Sequence, residues 1–329
     1  MRRTMWTECC IVLLWLASGV LDVDCRAASD EESPRATKSA EWQPVPKNGV
    51  IAEPGRYCLQ QDIQVDRGTG ITIEADDVTI DLCGHAIRYT GAPKEGTFGI
   101  VAPDRTGVTI TNGTVGGFWF NLHCTQNERL RIRDIRFDDI PYIGINVAQS
   151  KDVVISDNVF ENFRYDLAKA KDSTYVIGIN IGAENVVITN NRFMASPKGK
   201  AAQDVNVETV FVLFSAEVSQ DCLVAKNDMA ASEVLPRSYG VWVATNAEAT
   251  IVDNNVRNMK YGVCIAADAA AWVCFNRFHA SADTDASIET IGISASGAKD
   301  IIEIRNAFDG ITTPAALPKN SEGEHASGG

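Results

Sequence analysis

Apolar residues alternate with polar ones at period two over most of the chain, in short runs rich in Val and Ile. "GINVAQSKDVVISDNVF" (144–160) carries the pattern in full. It predicts one short strand, a turn of four to six residues and a second short strand, then an Asn and a short third strand. No copy holds an apolar stripe at helical spacing long enough for a helix.

The same unit recurs. Copies begin at Gly70, Gly99, Asn121, Gly144, Gly178, Thr209, Gly240, Gly262 and Gly292. The shortest distance between equivalent asparagines, Asn254 to Asn276, is 22 residues, which holds three strands and three turns but no helix. A leucine-rich repeat would need its Leu pattern, and a propeller blade about twice the length. Strands stacked on their counterparts one coil away, about 4.8 Å apart, make a parallel β-helix. The expectation is an all-β parallel β-helix of about nine coils. A lone coil cannot bury its apolar face, and its neighbours supply the other side.

"PGRYCLQQDI", then "ADDVTIDLCGHAI", then the "GI-V…VVI-DN-F" coils resemble the right-handed parallel β-helix superfamily, over Gly49 to Ile311. That group includes pectate lyases, polygalacturonases and alginate epimerases, and the resemblance implies a single-stranded right-handed helix with long loops overhanging one sheet. The resemblance implies that Asn158, Asn191, Asn227, Asn254, Asn276 and Asn306 form a ladder between the second and third sheets. Asn tolerates the left-handed conformation, and stacked amides can hydrogen-bond from coil to coil. Asn306 is the weakest rung, because "IIEIRN" runs one residue out of step. The catalytic motif sets of the polygalacturonases, epimerases and pectate lyases are absent, so the resemblance speaks to fold and not to one activity.

The copies differ mainly between the third strand and the next first strand. Inserts fall at 88–98, 161–176, 194–209, 230–239 and 279–290. Insertions on one edge of a solenoid mark a binding face. In the resembled enzymes, loops there wall a groove over the first sheet. Its outward row is expected to be Thr72, Val101, His123, Asn146, Asn180, Phe211, Trp242, Cys264 and Ser294. Polar Asn146 and Asn180 beside aromatic Phe211 and Trp242 suit a sugar; inserts folded back over the two rings would bury them instead. The next outward row, with Thr79, Thr109, Arg131, Val154, Val187 and Thr250, reads as a solvated face.

For chemistry, His123 and the carboxylates Asp138, Asp139 and Asp166 are the acid/base candidates of a hydrolase. Lys169 and Lys171 are candidate bases of a lyase or epimerase, with Arg164 and Tyr165 as substrate-binding neighbours in the same loop. A histidine bonded to a neighbouring loop and a solvated charged loop are the plainer readings of these residues. Catalysis requires His123, Asp138 or Asp139, and this loop to converge. Recognition without catalysis requires Phe211 and Trp242 exposed in a row. A structural envelope module requires the inserts to cover the sheet.

The net charge of −13 argues against a nucleic-acid partner. It also disfavours a polyanionic glycan unless a basic groove or a bound cation, such as calcium, offsets it. No cofactor fingerprint is present, and the metal is unknown. Arg2 and Arg3 precede a 12-residue apolar run, Cys9 to Val20. Residues 1–27 therefore read as a cleaved secretory signal, with an uncleaved anchor as the alternative, and no membrane span after cleavage. Residues 28–48 read as a polar linker, 49–312 as the β-helix with 49–69 its opening strand and cap, and 313–329 as a disordered tail. The location expected is secreted, periplasmic or cell envelope, and the partner a polysaccharide or surface glycan. After cleavage six cysteines remain: Cys58, Cys83, Cys124, Cys222, Cys264 and Cys274. Fifteen pairings are open to them, and Cys124 and Cys222 fall at inward positions.

Overall fold

The computed structural model describes residues 41–164, 174–196, 207–215, 219–281 and 288–317, and the backbone of 323–324. Every regular element among them is a β-strand, and the strands pair in parallel with their counterparts one coil away. The longer strands bend round a corner. Ile143–Ser156 serves the first sheet, shifts register between Ala148 and Ser150, then serves the second. The fold is a right-handed parallel β-helix: parallel and coiled as the alternation predicts, right-handed as the resemblance implies.

Inward Ile and Val fill the coil, and Ile71, Ile100, Leu122, Ile145, Ile179, Val212, Val241 and Val263 are fully buried. Cys124 and Cys222 join this core as expected. On the third sheet Phe137, Phe160 and Phe193 stack at 4.8 and 4.5 Å. That stack explains the Gly before each first-strand Ile. A Cβ on Gly178 would lie 2.8 Å from the Phe193 ring, and one on Gly262 would lie 2.3 Å from Phe278.

The asparagine ladder is continuous from Asn158 to Asn306. Each Oδ1 accepts from the backbone N–H and the Nδ2 of the preceding rung. The left-handed residue is not the ladder asparagine but the one before it: Asp157, Asn190, Lys226, Asp253, Phe275 and Arg305. The turn needs one positive φ, which swings the next side chain inward, and the buried amide satisfies backbone groups that the corner strips from the strand ladder. Asn306 holds its place, but the phase slip is real. Glu303, not an Ile, faces inward opposite Val273.

Pairing also runs past both expected ends. Gln43–Pro44, inside the segment read as linker, pairs with Tyr57 and Cys58. Thr313–Ala316, inside the segment read as tail, pairs with the strand from Ile291. In each case an open coil edge offers backbone groups to the next stretch of chain. Residues 1–40, including the expected signal segment, lie outside the described residues. A disulfide, Cys58–Cys83, joins neighbouring turns near the start of the described helix.

Candidate functional site

The first sheet's outward row follows the expected register with one correction. Thr72, Val101, His123, Asn146 and Asn180 pair in sequence, but the next residue is Leu213, not Phe211. Trp242, Cys264 and Ser294 follow. Phe211 is fully buried, with its ring 5.3 Å from Phe193 and 5.5 Å from Phe163. The cause is a local swap. Phe211 takes the place that Gly holds in neighbouring coils, and the third strand of its coil carries Met229 in register with Phe193. "TVFVLF" has no glycine to mark register, so the alternation alone misplaces it by two residues.

The centre of the row is a hydrogen-bonded chain. Asn180 Nδ2 donates to Asn146 Oδ1 at 2.7 Å, and Asn146 Nδ2 donates to His123 Nδ1 at 2.9 Å. His123 thereby carries its proton on Nε2. Its ring lies 5.2 Å from Phe98 and 5.0 Å from Phe120, and burial pushes its pKa below the ordinary value. A neutral imidazole with Nδ1 occupied offers a hydrogen-bond donor, not a base.

A second outward row lies at the corner where the first strand begins. Phe98, Phe120, Ile143, Ile177, Val210, Tyr239 and Tyr261 follow one another coil by coil. Ile143, Ile177 and Val210 form a small apolar cluster outside the main core, packed against Phe120, Tyr142, Tyr175, Leu213, Tyr239 and Trp242. The polar chain is therefore flanked on both sides by rings. Trp119 stacks on Tyr142 at 4.7 Å on one side; Tyr239 stacks on Trp242 at 4.8 Å and on Tyr261 at 5.0 Å on the other.

Glu208 sits in this second ring cluster. It pairs in register with Tyr175, and its Oε1 lies 3.7 Å from Arg237 Nη1. Burial first, then the charge of Glu208 and a hydrogen bond to it, raise the Tyr175 pKa. Burial and the Glu208 charge likewise raise Tyr239, and push the Cys264 thiol up to about 11. Glu208 Oε2 and Trp242 Nε1 are buried and find no hydrogen-bond partner among the described residues. Leaving such groups unpaired costs about 1–3 kcal/mol each.

The other candidates do not join them. Asp138 belongs to the outward face of the third sheet, in register with Gly116 and Glu161. It accepts from Arg88 Nη1 at 2.9 Å and Asn162 Nδ2 at 2.7 Å. Burial raises its pKa, the two hydrogen bonds and the charges of Arg88 and Arg136 lower it, and the net direction is down. That is a structural carboxylate, with no hydrogen bond, ion pair or ring contact to His123. Asp139 Oδ1 lies 3.5 Å from Arg164 Nε, at the same corner. Tyr165, Asp166, Lys169 and Lys171 lie outside the described residues. Among the described residues no group of three or more His, Cys, Asp or Glu side chains is placed to hold a metal ion.

The insert at 230–239 is not a loop. It continues the strand Asp228–Val243 through two register shifts, because Val234, Leu235 and Ser238 are buried. Tyr175, Glu208 and Tyr239 escaped sequence reasoning because each falls where an insert was expected. Tyr239 alone carried a signal, an apolar ring three residues before the outward Trp242; Tyr175 and Glu208 lie five residues before Asn180 and Leu213, where the pattern marks nothing.

Residues 48–207 match the family described as "Right handed beta helix region". Among solved structures, Dettilon tailspike protein (gp208) is similar at 12% identity and a TM-score of 0.61, over 86% of this chain and 56% of that one. A double mutant of the tailspike protein of E. coli bacteriophage HK620, in complex with pentasaccharide, is similar at 11% identity and a TM-score of 0.56, over 82% of this chain and 58% of that one. The chain thus spans just over half the length of these tailspike chains, and at such identities the likeness is one of fold. No curated protein matches the chain.

Proposed function

We propose that this right-handed parallel β-helix is an exported protein that recognises a polysaccharide or surface glycan on its first sheet. One observation carries this: the hydrogen-bonded chain His123–Asn146–Asn180, flanked on one outer face by two ring clusters. Sugars present CH faces that pack on rings and hydroxyls that bond to amides and a neutral imidazole. The pentasaccharide bound by the HK620 tailspike supports the reading by analogy of fold. Binding without cleavage fits best, because Asp138 is committed to Arg88 and Asn162 on another sheet. The domain reading goes with this proposal: a signal over 1–27 that is removed, then the β-helix.

The test is affinity electrophoresis of the mature protein on neutral and uronic polysaccharides, with and without calcium. Product absorbance and reducing ends are followed in the same mixtures. The expected result is retardation by at least one polymer without turnover, weakened ~10-fold or more by Trp242→Ala, since a ring–sugar contact contributes about 1.4 kcal/mol or more. Turnover would make the protein an enzyme; absence of binding across the panel would end the recognition reading.

A further inference from the structure

The outward row of the second sheet changes character along the helix. Thr79, Thr109 and Arg131 open it in register, as a solvated face does. Val154, Val187, Leu223, Thr250, Trp272 and Ile302 follow, one per coil, and each is partly exposed. Two residues further along the same strands, Val252 and Ile304 widen the patch. From Val154 onward neither row carries a charge. In the last of these coils the usual order is inverted. Ile302 and Ile304 are partly exposed while Glu303 between them is buried, the reverse of a solvated strand. Charges stand at the rims, where Asp221, Glu248 and Asp300 on one side and Lys226, Asp253 and Arg305 on the other are exposed. An apolar centre inside a charged rim is the anatomy of a protein–protein interface.

We propose that this face of the second sheet pairs with the same face of a second copy of the chain. Six strands of five residues measure roughly 29 by 16 Å at the usual spacing and rise. Two such faces, with side-chain relief added, bury on the order of 1,000 Å², where specific interfaces begin. Stacked strands present a strip, and the matching strip that always accompanies this chain is that of another copy. A twofold axis in the plane of contact brings the two together. The net charge of −13 disfavours an anionic lipid surface as the occupant. The first sheet stays outside the contact, so the pairing does not depend on glycan recognition.

Sedimentation equilibrium of the full mature chain tests the pairing. A contact at the low end of interface size implies a dissociation constant on the order of 10 μM. The mass should rise from one chain to two across that concentration. Salt should strengthen the pair, since two copies of charge −13 repel and screening removes the repulsion. Trp272→Lys and Ile302→Lys should each weaken it ~30-fold or more, the loss typical of a central anchor. Thr109→Lys, in the polar part of the row, should leave it unchanged. Should the first two variants fail to fold, hydroxyl-radical footprinting makes the measurement on the unaltered protein. Trp272 should become protected as concentration rises, while the exposed Trp42 should not.

A monomer at every concentration, a dimer that neither lysine variant weakens, or a pair that salt dissolves would overturn the inference. Trp272 protected equally at all concentrations would overturn it too, because the chain's own residues would then cover the face. Protection of Trp272 by phosphatidylcholine vesicles alone would make the face a lipid-binding surface instead. Glycan binding is read separately by affinity electrophoresis, and none of these outcomes decides it.

Discussion

Glu208 changes the chemistry of its neighbours more than its own place in the sequence suggests. Its charge adds to burial in raising the phenols of Tyr175 and Tyr239. Glu208→Gln should therefore lower the high-pH phenol transition, read by absorbance near 295 nm; an unchanged curve would mean that burial alone sets those phenols. His123 runs in the opposite direction. Its pKa is depressed in the folded state by burial. The unfolded chain takes up a proton near the ordinary histidine pKa while the folded chain does not, so this contribution to stability is complete above that pH. It is lost as pH falls through the lower folded value. Urea midpoints at pH 7.5 and pH 5 should differ more for the native chain than for His123→Gln; equal differences would mean that the imidazole titrates freely. His123, Asn146, Asn180 and Trp242 could be placed from alternation, because each lies one residue after a buried Ile, Leu or Val. Phe211 could not, because five apolar residues in a row, Val210 to Phe214, satisfy either register.

At the scale of one coil, the asparagine turn does what a strand ladder does elsewhere. Asn191 takes hydrogen bonds from Asn158 and gives them to Ile155, Thr189 and Asn227, all in a buried corner. Asn191→Ala strips partners from several of these groups at once. It should cost about 3 kcal/mol or more of unfolding free energy, at about 1–3 kcal/mol per buried group left unpaired. Asn306→Ala, at the half-exposed end of the ladder, should cost less than half as much, because water can replace what is lost. Urea denaturation of the two variants side by side decides it; equal costs would mean that position in the ladder is irrelevant. The ladder was legible in the sequence as a column of asparagines. The left-handed residue before each rung was not, because Asp, Asn, Lys, Phe and Arg all occupy it and share no chemistry that marks the conformation. The strand through 230–239 was hidden for a similar reason. Its Pro and charged residues resemble a loop, yet Val234 and Leu235 find buried positions.

Across the whole molecule, stability should be local, since each coil touches only its neighbours. The Cys58–Cys83 disulfide closes a 25-residue separation at the N-terminal end. Reduction should remove about 3 kcal/mol there, the entropy of a loop of that size. Hydrogen exchange should then quicken at Ile71 and Ile80 and stay unchanged at Ile251. A uniform loss of protection would mean that the solenoid unfolds as one unit. The amino-acid sequence by itself determined the architecture: period-two alternation, spacings too short for a helix and a recurrent Asn leave the parallel β-helix as the way to bury every Ile and Val. It also determined which residues of most coils face outward, because side-chain direction in a strand depends only on parity. Tertiary structure alone decided what meets across coils. Tyr175, Glu208 and Tyr239 come from successive turns of the chain, separated by inserts of unequal length, and only stacking brings the two rings beside Trp242 and Glu208 beside Tyr175. It also sent Asp138 to a different sheet from His123, since one bend of the chain at Pro141 and Tyr142 separates two faces that sequence distance does not distinguish.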